Sequence, residues 1–164
     1  MRNLMTVLVL AAIVLVAGQP VMAHCQIPCG IYDDIARVRM MEEHVTTIER
    51  SLKGLNDHLG KTGAADVNQR VRWVMNKEVH ADLISEIVTE YFLQQRIKAP
   101  KSGDSAARKA YQERLETLHG ILVSSMQAKQ TVDATHVAKL RELIDQFKKQ
   151  YFSAEDLEHL GHEH

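Results

Sequence analysis

Residues 35–59 read IARVRMMEEHVTTIERSLKGLNDHL, and the apolar positions Ile35, Val38, Met41, Val45, Ile48, Leu52, Leu55 and Leu59 recur in steps of three and four. That spacing gathers them on one face of a long amphipathic helix, with charge on the other. Gly60 and Gly63 end the segment, and Thr62 to Asp66 forms a turn. A second helical stretch follows through Val71, Val74, Leu83, Ile84, Ile87, Val88, Tyr91 and Phe92, until Pro100 and Lys101-Ser102-Gly103 stop it.

A third segment places Tyr111, Leu115, Leu118 and Leu122 on one face, and a fourth, after Asp133, does the same with Val137, Leu140, Ile144, Phe147 and Tyr151. Ser153-Ala154-Glu155-Asp156 reads as a cap for a last short turn before a His-rich tail. No run alternates as a strand would, and the connections are short, so sequential helices should be antiparallel. The expected fold is all-α: an up-down antiparallel four-helix bundle over 34–152, with a tail over 153–164. In the second helix the pairs Leu83/Ile84, Ile87/Val88 and Tyr91/Phe92 widen the apolar face, which suggests a second contact surface and oligomerisation.

Ahead of the bundle, residues 1–23 carry one basic residue, Arg2, then an apolar run from Leu4 to Ala17 and a small-residue end at Ala23. This is the pattern of an export signal, too short in its apolar part for a permanent membrane anchor. The expectation is a cleaved leader and an exported protein. Without Arg2 the chain has 19 basic against 21 acidic residues, a balance that disfavours nucleic acid as a partner.

Cleavage after Ala23 would make His24 the first residue of 24–33, HCQIPCGIYD. Its α-amine, its ring, the Cys25 amide and the Cys25 and Cys29 thiols would then lie within a few bonds. Amine to amide closes a five-membered chelate, and amide to thiolate closes another. Pro28 sets a bend and Gly30 permits close approach, so Cys29 can supply a second sulfur. Two nitrogens and two sulfurs in fused planar chelates suit a square-planar ion such as nickel(II) or copper(II) better than tetrahedral zinc. In an exported chain the two cysteines could instead pair as a disulfide closing a very small loop.

The pattern His-Cys-x-x-Pro-Cys-Gly-x-Tyr-Asp resembles the metal hook of nickel superoxide dismutase throughout 24–33, and Glu90-Tyr91-Phe92 resembles the Asp-Tyr-Phe of that family's second helix. The resemblance implies a homohexamer of four-helix bundles, one nickel ion per subunit cycling between its divalent and trivalent states, and superoxide as substrate, disproportionated to oxygen and peroxide. It implies that His24, Cys25 and Cys29 bind the metal, with His24 supplying amine and axial imidazole. Tyr32 matches the tyrosine lining the substrate approach, and Tyr91 matches a second one near it. An unperturbed phenol keeps its proton at neutral pH, so Tyr32 reads as an orienting hydroxyl.

Three positions depart from the family pattern. Gln26 replaces a frequent aspartate. Arg39 or Met40 stands where a glutamate orients the histidine ring, and His80 stands where an arginine completes that network. His80, Glu42 or Glu43 is expected to support the His24 ring. His44, His58, His119 and His136 carry no expected role, and His159, His162 and His164 read as a solvated tail. The alternatives are an exported copper or nickel carrier using the same donors, and a structural helical oligomer with Cys25 bridged to Cys29. A maturation protease could replace ordinary signal cleavage.

Overall fold

The computed structural model describes residues 32–101 and 103–162. The hook ligands His24, Cys25 and Cys29 and the leader lie outside the described residues. The unit beginning at Asp33 is a helical bundle. Helix α1 spans Asp34–Asp57, α2 Ala64–Glu86 with a continuation as a π-helix over Ile87–Arg96, α3 Ser105–Gln130, α4 Ala134–Tyr151 and α5 Ala154–His162. Helix α1 packs on α2 and α4, and α3 packs on the same two, so the first four helices close a ring in chain order. This is the up-down arrangement that short connections favour.

Four of the five helix starts are set by a side chain that satisfies an amide lacking an intrahelical partner, the exception being α2, which begins after Gly63. Asp33 Oδ1 accepts from the Ala36 amide, Asp104 from Ala107 and Asp133 from Thr135, each at 2.9 Å. Ser153 and Asp156 form a reciprocal cap, the Ser153 hydroxyl accepting from the Asp156 amide and the Asp156 carboxylate accepting from the Ser153 amide. The segment after this cap is helical through His162, longer than the single turn expected.

Val38, Met41, Val45, Ile48, Leu52 and Leu55 of α1 are buried as their spacing requires, whereas Leu59 lies beyond the helix end and is exposed. Helix α4 buries Val137, Leu140, Ile144 and Phe147. Helix α3 buries Leu118, Ile121, Ser125 and Ala128, leaving Tyr111, Leu115 and Leu122 half-buried. Its inward face is shifted from the expected one toward Ile121, Ser124, Ser125 and Ala128, three of them small side chains that an apolar period does not pick out. At Gly54 of α1 the Trp73 ring of α2 comes so close that a Cβ would lie 2.4 Å from Trp73 Cε2; only glycine fits there.

Helix α2 and its continuation bury Ile84, Ile87, Val88, Tyr91 and Phe92 as expected, and depart from the expected face in the first half of α2. Val71 is 53% exposed and belongs to an outward row Val67, Val71, Met75 and Val79, spaced by four. The inward row contains the expected Ile84 together with Ala81 and Lys77, the last 2% exposed. Ile87, Val88, Tyr91 and Phe92 are all buried within the subunit and present no second surface. The π winding, with more residues per turn, lets a wider set of side chains face inward. The winding changes where the Thr89 hydroxyl donates to the Ser85 carbonyl at 2.9 Å, competing for an acceptor of the α-helical ladder. It closes with Ile97 N–H donating to the Phe92 carbonyl, a five-residue step.

Candidate metal-hook root

The hook sequence ends at Asp33, and the bundle grips the residue that follows. Asp34 opens α1, and its carboxylate accepts from the Tyr91 hydroxyl at 2.6 Å, the Tyr151 hydroxyl at 2.7 Å and the Arg96 guanidinium, whose Nη2 lies 2.6 Å from Oδ2 and Nε 2.8 Å from Oδ1. Burial pushes the Asp34 carboxyl up, but the bonds from Arg96, Tyr91 and Tyr151 outweigh it and hold the group below its ordinary value, as a carboxylate. The same arrangement raises both phenols. Burial, then the bond to Asp34, lifts Tyr151 to about 12 and Tyr91 further. Both therefore keep their protons at neutral pH.

The local winding makes this convergence possible. Tyr91 and Arg96 are five residues apart, which in an α-helix at about 100° per residue would point them about 140° away from each other. In a π-helix, bonded i to i+5, they lie nearly one above the other and reach the same carboxylate. Tyr151 arrives from the end of α4, where its ring stacks on Phe147 and meets Phe92 edge-on. Arg37, one turn into α1, lies over the Tyr91 ring, 5.1 Å from its centroid.

Of the residues singled out in the sequence, Tyr32 is exposed and immediately precedes Asp33, and Tyr91 is 4% exposed with its hydroxyl on Asp34. Arg39, Met40 and Glu43 lie together on a surface groove of about 460 Å³, with Asp33, Ile35 and Ala36. Glu42 turns elsewhere and takes Lys148 at 2.6 Å. His80 meets His44, Nδ1 to Nδ1 at 2.9 Å, so His44 is no isolated surface histidine. Sequence reasoning missed this pair because residues 44 and 80 are brought together only by the packing of α1 on α2. It also missed Asp34, Arg96 and Tyr151, whose only signal was Asp34 following a capping Asp33.

The His44–His80 pair has a pH signature. One neutral ring must donate and the other accept, and burial, with His80 alongside, lowers the His44 pKa below its usual 6.5. A base whose folded pKa is depressed gives stability that is full above pH 6.5 and lost as pH falls, because the unfolded chain takes the proton first. Urea unfolding between pH 7.5 and 5 should therefore show declining stability, and His44→Gln should flatten that decline. An unchanged slope in the variant would remove the pair from the pH dependence.

Among the described residues, no three His, Cys, Asp or Glu side chains converge as a metal site, and no helix is long and apolar enough to cross a membrane. The family model described as nickel-containing superoxide dismutase matches residues 19–155, which takes in the whole of 24–33 and the four-helix ring. Neither a curated protein nor a solved structure matches the chain.

Proposed function

The chain belongs to the family of nickel-containing superoxide dismutases, and from that premise we propose that its catalytic centre is the N-terminal hook 24–33, rooted on α1. The enzyme disproportionates superoxide to oxygen and hydrogen peroxide, with nickel as its cofactor. The observation that carries the placement is that the matched span contains one dense run of nitrogen and sulfur donors, HCQIPC, which begins ten residues before the helix the bundle holds.

The donor chemistry fits the ion. In our reading His24 would offer amine and ring, Cys25 its amide nitrogen and thiolate, and Cys29 a second thiolate, a donor set of nitrogen and sulfur that suits nickel(II). Nickel bound there supplies the one-electron couple between its divalent and trivalent states. The chain's own residues must hold the donors, admit a small anion and leave protons accessible. Tyr32, exposed beside the hook's end, orients the incoming anion through its hydroxyl. Tyr91 keeps its proton and donates it in a hydrogen bond to Asp34, so it is not the source of the two protons each peroxide needs. Of the candidate supports for the His24 ring, Glu42 and His80 are engaged with Lys148 and His44, so our choice falls on Glu43. Metal analysis and superoxide decay on protein with a free amine at His24 test this reading.

Export after Ala23 belongs to the same proposal, supported by the apolar leader and by the need for a free amine. Trimming by a dedicated protease would serve equally. A homohexamer is supported by the uncovered row Val67, Val71, Met75 and Val79, with Met75 61% exposed. Val71→Glu with Met75→Glu should lower the assembly mass in light scattering while leaving the helical circular dichroism unchanged. Retention of the full mass in that variant would take this row out of the subunit contacts.

A further inference from the structure

The geometry points to Asp34 as the positioning residue of the metal hook: Tyr91, Arg96 and Tyr151 clamp its carboxylate and so fix the first turn of α1, from which the hook departs. This rests on the reading of 24–33 as the metal site. Two adjacent aspartates divide the labour at this junction. Asp33 satisfies the helix itself, accepting from the Ala36 amide at its side chain and from the Arg37 amide at its carbonyl. Asp34 ties that helix start to two other parts of the bundle, the π segment and the end of α4.

The clamp is more than a surface ion pair. Asp34 and Arg96 are largely shielded, with side chains 16% and 28% exposed, and the guanidinium binds in the two-point fork that fixes direction as well as distance. Both carboxylate oxygens are used, one by Tyr91 and Arg96 Nε and the other by Tyr151 and Arg96 Nη2. The π winding of Ile87–Arg96, whose usual cost is poorer backbone geometry, brings Tyr91 and Arg96 to one side, and that is the use this structure makes of it. Cys29 is five residues and His24 ten residues upstream of Asp34. A short metal-binding segment keeps a reproducible geometry only if its root is fixed on a rigid element. A root that frays releases the whole hook.

The test uses the full mature chain and the variants Tyr151→Phe and Tyr151→Phe/Arg96→Gln. Hydrogen exchange at the Ala36 and Arg37 amides should accelerate about tenfold in the double variant and less in the single one, while buried amides of α1 beyond Val45 stay as slow as in the wild type. Nickel release to a chelator should quicken in the same order, and the trivalent-nickel electron paramagnetic resonance signal should broaden as the hook samples more geometries. A uniform rise in exchange along α1 and α4, with nickel release and line shape unchanged, would reduce the clamp to ordinary packing and overturn the proposal. If the wild type takes up no nickel, the functional reading fails. The clamp is then judged on exchange alone, with local acceleration supporting it and uniform acceleration overturning it. Tyr151→Phe removes only one hydroxyl, so the comparison survives should the double variant fold poorly.

Discussion

One alanine added ahead of His24 should cost the enzyme its nickel and its activity together. The extra residue turns the α-amine into an amide, removing one donor and breaking the first of the two fused chelate rings, while every side chain of the hook stays in place. Loss of a group that merely supports a metal ligand weakens binding by about 10–100-fold, so loss of a ligand should exceed that, on the order of 10²-fold or more. Cys25→Ser and Cys29→Ser should behave the same way, since a hydroxyl does not replace a thiolate in stabilising the trivalent ion. Metal analysis after dialysis and the rate of superoxide decay, measured on extended and trimmed protein side by side, are the readouts. A trimmed protein that binds nickel but surrenders it readily and leaves superoxide decay at the buffer rate would be a carrier. An extended protein as active as the trimmed one would show that the amine is no ligand.

The donor run of 24–33 can be read without a fold because its chemistry is local: the donors are contiguous, ring sizes follow from the bonding, and its assignment as the metal site is our proposal. The four helices were legible for the same reason, as a period of three and four survives in the one-dimensional string. What lay beyond reach depends on winding or on distant pairs. The apolar period places Val71 inward, yet it faces out, in a row with Val67, Met75 and Val79 whose helical spacing gives no sign of it, while Lys77, a residue apolarity passes over, faces in. Nothing in Ile87–Arg96 announces a π-helix, and without it Tyr91 and Arg96 would not be assigned to one carboxylate. Asp34, Tyr151 and the His44–His80 pair join residues separated by 36 to 117 positions.

Lys77→Met should be the most destabilising single change in the bundle that leaves the hook untouched. The Lys77 ammonium is inserted at the end of α3 and donates to the carbonyls of Ala128, Lys129 and Thr131 at 2.5, 2.6 and 2.8 Å. Three acceptors use all three of its protons, so the group is charged despite the burial that lowers its pKa. Carbonyls at a helix C-terminus carry the negative end of the helix dipole and lack intrahelical donors, which is why a cation there is favourable. Methionine fills much the same space without a donor and leaves those carbonyls unsatisfied, one of them buried. The cost should be about 2–4 kcal/mol, from the loss of charge-assisted bonds and the desolvated acceptors left behind. In a domain of this size that is a fall in Tm of roughly 10 °C. Lys77→Arg should recover little, because a planar fork cannot direct three donors as a tetrahedral ammonium does. A melting temperature within a degree of the wild type would mean that water reaches the end of α3 and replaces the ammonium. Activity per bound nickel should be unchanged in Lys77→Met at temperatures where it is folded, since α3 contributes nothing to the Asp34 clamp.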